Sequence, residues 1–185
     1  MTTSLNGIDV DGFRQFAEGI RQNPDNAIAR FEVNTRWDGQ TRSATTVKSY
    51  DLCGKTHARD FTITADEPAE LLGTNTSPNP QELLMAALNA CMTVGYVANA
   101  AAKGVTVRSL EIQTVGELDL RGFLGLDANV NPGYDEVKYI VRIDADGTPE
   151  QMEEIHRAVI DTSPNFSNFA KAVRMVPELV LVEKP

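Results

Sequence analysis

The stretch NPQELLMAALNACMTVGYVANAAAKG, residues 79–104, constrains the fold more than any other part of the chain. It reads as one long helix with clean ends: Asn79 suits the N-cap and Pro80 the first helical position. Glu82 falls where a capping box needs it, and Gly104 is placed to stop the helix. The segment is apolar on more than one side, because Leu83, Leu84, Ala87, Leu88 and Cys91 are joined by Ala86, Ala90, Met92, Val94 and Val97. A helix that is apolar nearly all round must be covered nearly all round. One small sheet covers one face, so the pattern predicts an intertwined homodimer in which a second subunit's sheet covers the rest.

The remaining elements predict an α+β fold with mainly antiparallel sheets packed around this central helix. Residues 9–22 place Val10, Phe13, Phe16 and Ile20 on one helical stripe that ends at Asn23-Pro24. Residues 1–25 are therefore read as an N-terminal helical extension and 26–185 as a single domain. Segments 28–37 and 41–50 flank Asp38-Gly39, a hairpin signal, and 59–66 supplies a third strand. Residues 66–80 form a loop, whereas 105–118 and 134–145 alternate as strands around a second loop. A helix starting at Thr148-Pro149 buries Met152, Ile155, Val159 and Ile160; a shorter one follows SPNF, and 175–183 is expected as a closing strand.

The formal net charge of -9, with Arg108, Arg121 and Lys138 scattered, disfavours a nucleic-acid binder, which needs clustered cations. The opening MTTSLNGIDVDGFRQF lacks signal-peptide character. Asn89, Asn99 and Lys103 interrupt the longest apolar run, so no membrane association is expected and the cytoplasm is the expected compartment. Cys53 and Cys91 form no CxxC, and His57 and His156 lie far apart; no metal site or cofactor is expected.

Cys91 invites two readings. Free cysteine usually serves as a small buried apolar side chain. It lies eleven residues beyond Pro80, about 16 Å along the axis, beyond reach of the helix dipole. A reactive Cys91 therefore needs a cation from elsewhere, and Arg36 and Arg42 stand on either side of the first hairpin turn. Glu82 projects from the opposite side of the helix, roughly 13 Å away, and Gln81 is equally out of reach within one chain. Either meets Cys91 only across a subunit interface. Capping is the structural alternative for Glu82.

The run SPNPQELLMAALNACMTVGYVANAAAKGV, with DEPAELLGTNTSPNP before it and GELDLRGFLGLDANVNPGY after it, resembles the OsmC/Ohr family of osmotically inducible and organic-hydroperoxide-resistance proteins. The similarity spans roughly residues 28–183. It implies a two-sheet α+β homodimer with its site at the subunit interface and thiol peroxidase chemistry: a thiolate becomes a sulfenic acid, oriented by an arginine and a glutamate. A second cysteine then forms a disulfide that a dithiol reopens. This chain departs from that pattern. Ser163 stands where the resolving cysteine belongs, the glutamate position falls on neutral Gln81 beside Glu82, and Arg42 is the chosen arginine with Arg36 in reserve. Ser163-Pro164 also has a structural reading as a helix start. Cys53 is read as an unpaired surface thiol, and His57 and His156 as solvated. Two functions follow as expectations. The first is a one-cysteine peroxidase that reduces organic or hydrogen peroxide through Cys91, with an external thiol as reductant. The second is a degenerate relative that binds a small hydrophobic ligand at the dimer interface.

Overall fold

The computed structural model describes residues 4–182, arranged as two main antiparallel sheets and a small N-terminal hairpin, with five α-helices. The central helix, α2, runs Pro80–Ala102 and opens with the full capping box: Asn79 Oδ1 accepts from Glu82 N–H, and Glu82 Oε2 accepts from Asn79 N–H. Leu88, Met92, Tyr96 and Ala100 recur every fourth residue and are buried along one stripe. They meet Val105, Ile155 and Val159 to form the core. The inner faces of β7 (Val107–Gly116) and β8 (Val137–Ala145) close one side of this core, and α4 (Pro149–Thr162) closes another. Gly95 permits the close approach of α2 to α4, since a Cβ there would lie 3.2 Å from Val159 Cγ1. The short α5, Pro164–Ala170, follows α4 directly and packs on α2.

By length and apolarity alone α2 could cross a membrane. Its polar residues are instead engaged inside the fold: Asn89 Nδ2 donates to Ile112 O at 3.1 Å and Asn89 Oδ1 accepts from Thr114, which pins α2 to β7.

The other sheet is built before α2. Strand β5 (Ser43–Leu52) has β3 (Ala29–Phe31) and β4 (Asn34–Trp37) along one edge and β6 (Lys55–Ala65) along the other. The Asp38-Gly39 turn is formed as expected, with Trp37 opposite Ser43. The β6 strand starts four residues earlier than the pattern suggested. Cys53 and Gly54 both adopt positive φ and make a two-residue turn that hands β5 straight to β6. Phe31, Tyr50 and His57 sit in cross-strand register as a stacked row, with the Arg59 guanidinium 5.1 Å from the Tyr50 ring. His57 is thus part of an aromatic row and not merely solvated.

Two regions depart from the sequence expectation. The N-terminal segment is more than a helix: Ser4–Leu5 (β1) and Ile8–Asp9 (β2) form a hairpin through Asn6-Gly7 before α1 (Val10–Gln22). Asn6 clamps this hairpin to the start of β7, donating to Val105 O and accepting from Val107 N–H, both at 2.9 Å. The expected closing strand at 175–183 is not formed over its described residues. Residues 172–182 carry no regular structure and expose Met175, Val176, Leu179, Val180 and Leu181, because a strand needs a sheet edge and none within the described chain is paired with it.

Candidate functional site

Cys91 sits three residues past the buried Leu88, on the flank of α2 where the core meets an uncovered strip. Leu84, Ala87, Cys91 and Val94 follow at three- and four-residue spacing and so share one face. Ala87 is exposed on this face and Val94 is 68 % exposed. Cys91 is half-buried, with its sulfur 3.3 Å from Ser163 Oγ.

Ser163 is 6 % exposed and caps α5, where its Oγ accepts from Phe166 N–H at 3.3 Å. The sulfur and the hydroxyl are within hydrogen-bonding distance and either can donate, since the hydroxyl oxygen keeps a second lone pair beside the one that accepts from Phe166 N–H. Sequence reading treated Ser163 as a lost position with a capping alternative. The structure makes it both a cap and the polar neighbour of the thiol. Asn165 reinforces this corner by donating to Ala87 O at 2.8 Å, and sequence reading did not single it out.

The other candidates lie elsewhere within the chain. Arg42 folds back on its own hairpin turn, donating from Nε and Nη2 to Asp38 O at 3.2 and 3.0 Å. Arg36 stands on the exposed β4 strand. Glu82 is engaged in the capping box, as its structural reading anticipated. Gln81, the second residue of α2, is exposed and borders two grooves: one passes Leu84, Ala87 and Asn165 toward the Cys91 corner, and the other passes Glu67 and Leu118. One chain therefore brings Cys91 and Ser163 together and holds Arg36, Arg42, Gln81 and Glu82 apart from them. Cys53 and Cys91 are both free thiols, with Cys53 at the β5–β6 turn.

Two further features escaped the sequence reading. Asp66, 1 % exposed, accepts from Thr41 Oγ1, Glu67 N–H and both the N–H and Oγ1 of Thr74 and Thr76. The hydroxyl of Thr74, then that of Thr41, holds this carboxyl far below the usual carboxylate range. The carboxylate ties loop 66–79 to the first hairpin and so sets the approach to α2. His156, read from sequence as solvated, is hydrogen-bonded through Nδ1 to the buried Tyr96 hydroxyl. Burial pushes the Tyr96 phenol well above its ordinary value. A buried phenol needs a partner, and the helical register of α4 supplies one. Among the described residues no group of His, Cys, Asp and Glu side chains is arranged to hold a metal ion.

The chain resembles several solved structures in fold. An OsmC-like protein from Mycoplasma pneumoniae is 16 % identical, with a TM-score of 0.59 over 77 % of this chain and 89 % of that one. A protein from Psychrobacter arcticus, described as a putative osmotic stress induced and detoxification response protein, is 13 % identical with a TM-score of 0.54, covering 73 % of this chain and 85 % of that one. An OsmC-like protein of unknown function from Vibrio cholerae is 17 % identical with a TM-score of 0.52, covering 76 % and 93 %. Curated proteins gave no match. The family model described as OsmC-like protein matches residues 73–177, which include α2, the Cys91–Ser163 pair and the whole β7–β8 sheet. That match covers more than half of the 185 residues, and the chain belongs to the OsmC-like family.

Proposed function

We propose that this protein is a thiol-dependent peroxidase that works through Cys91 alone, in a homodimer. The observation that carries the reading is the Cys91–Ser163 pair at the edge of an uncovered apolar face: a half-buried sulfur within hydrogen-bonding distance of a buried hydroxyl. A second subunit laid over Leu84, Ala87 and Val94 encloses that sulfur. It is also the only source from which Arg42 (or Arg36) and the Gln81–Glu82 helix start reach Cys91, since each is held away from it within its own chain.

The Cys91 thiolate attacks one oxygen of the peroxide, the O–O bond breaks, and the leaving alkoxide or hydroxide takes a proton from solvent. Cys91 becomes a sulfenic acid. Ser163 cannot form a disulfide, so an external thiol condenses with the sulfenic acid, releasing water and giving a mixed disulfide. A second thiol equivalent attacks this disulfide and regenerates Cys91. Two free thiols in an acidic chain suit a reducing, cytoplasmic setting.

The test is mass spectrometry of protein exposed to mild cumene hydroperoxide in the presence of a sulfenic-acid trap. One adduct is expected at Cys91, with none in Cys91→Ser. An unmodified Cys91 under conditions that consume a control thiol overturns the reading.

A binding role without turnover is the second reading. It is favoured by the neutral Gln81 at the glutamate position and by the engagement of Arg42 at its own turn. Alkylation of Cys91 measured against pH separates the two. A thiol reactive below its ordinary titration range supports the peroxidase, and an inert one supports the binder.

A further inference from the structure

The contact between Cys91 and Ser163 joins two elements that have little reason of their own to stay aligned. Ser163 ends α4 and opens α5: its N–H donates to Val159 O at 2.9 Å, and its carbonyl accepts from Ser167 N–H at 3.0 Å. Those bonds fix the serine on α4 and α5, not on α2. At seven residues α5, like the four-residue α3 (Leu120–Phe123), is too short to be stable alone, so its seat is set by what it packs against. Phe166 and Phe169 pack on the core, but apolar contact is non-directional and does not by itself fix where a hydroxyl points.

Asn165 supplies the direction. Its Nδ2 donates to Ala87 O at 2.8 Å. Within α2 that carbonyl also accepts from the N–H four positions on, which belongs to Cys91. The Asn165 side chain therefore fastens the start of α5 to the helical turn that carries the sulfur. Ala87 and Cys91 lie about 6 Å apart along the axis, and Asn165 and Ser163 are neighbours but one, so the two contacts make a two-point clamp. Among the described residues, no other hydrogen bond joins residues 163–170 to α2.

The clamp matters most for the ionised sulfur. A thiol and a hydroxyl can each donate, whereas a thiolate has no proton and only accepts. Ser163 Oγ, which accepts from Phe166 N–H, is then the donor, and a hydrogen bond to a charged acceptor is stronger than one to a neutral acceptor. Such a bond favours the charged form. We infer that Asn165 is a positioning residue for the Cys91 thiolate, holding the 163–165 corner on Ala87 O so that Ser163 donates to the sulfur. The inference rests on the peroxidase reading and deepens it, by naming what in the same chain steadies the nucleophile. Asn165 acts on the sulfur through Ser163.

The experiment is iodoacetamide alkylation of Cys91 in the full-length protein as a function of pH, read by peptide-mapped mass spectrometry so that Cys53 is followed separately. Ser163→Ala should move the half-maximal point upward by about one pH unit, the scale of a lost hydrogen bond to a charged group. Asn165→Leu, close in size but without the amide, should move it the same way by a comparable amount. Asn165→Ala is the second variant, in case leucine crowds the corner. In a Ser163→Ala background neither Asn165 change should add to the shift, because the effect runs through the hydroxyl. A merely structural loss would move the profile equally with and without the serine. An unmoved profile in both Asn165 variants, a shift that persists without Ser163, or a Cys91 that alkylates in none of these proteins overturns the inference. No peroxide enters this measurement. A Cys91 left unmodified by cumene hydroperoxide while the Asn165 shift holds would therefore count against the peroxidase reading alone.

Discussion

The two sheets of this molecule are built from similar strands but live in different surroundings. On the β7–β8 sheet, Ile112, Tyr139, Val141 and Ile143 pack beneath α2 and α4 around Met92, Ile155 and Val159, whose exposure is zero. On the β3–β6 sheet, Phe31 and Trp37 are 73 % and 78 % exposed, and almost the whole of β6 faces solvent. No helix of the described chain packs firmly on that sheet. Residues 172–182 are similarly exposed and unpaired. A well-packed half beside a half this apolar and uncovered is the contrast that the proposed homodimer accounts for, because exposed apolar patches of this kind mark surfaces that a partner covers. The α2 strip of Leu84, Ala87 and Val94 is a further uncovered apolar face, with Cys91 on it.

The contrast can be broken by substitution. Ile155→Ala removes a fully buried side chain from the covered half and should cost about 2–5 kcal/mol, read by urea unfolding. A cost under about 1 kcal/mol would mean that the covered half is not the core. The next effect is on acid stability. The Asp66 carboxyl is depressed by its threonine donors, so its contribution is present above the unfolded carboxylate value near 4 and is lost as pH falls toward the lower folded value. Asp66→Asn should flatten the loss of stability below about pH 4 and lower the melting temperature at pH 7. An unchanged acid slope would remove Asp66 as the hub of the loop. The smallest effect on the single chain is expected for Phe61→Ser with Ile63→Ser, on the uncovered sheet. Unfolding of dilute protein should shift by no more than about 0.5 kcal/mol per site. Dimerisation, followed by sedimentation, should weaken clearly. A large monomer destabilisation with unchanged association would sink the dimer and, with it, the interface site.

Much of this was legible in the chain. Asn79, Pro80 and Glu82 announce the start of α2 because capping is a matter of residues three apart. The same local logic located the Asp38-Gly39 turn and the α4 face bearing Ile155 and Val159. The miss at 175–183 is of another kind. MVPELVLVE has the residues of a strand, but a strand is completed by hydrogen bonds to a neighbour, and no local signal names that neighbour. His156 was passed over because its partner, Tyr96, lies sixty positions away on another helix.

The candidate site divides along the same line. Cys91 was visible from its helix, and Ser163 from the resemblance to a cysteine motif. Their contact at 3.3 Å joins residues 72 positions apart, a relation that no local signal carries. The sequence by itself determined the caps, periodicities and turn residues, which act over three or four positions of one chain. Only the tertiary structure decided which side chains meet and which apolar faces remain uncovered, because burial and pairing depend on the through-space arrangement of groups remote along the chain.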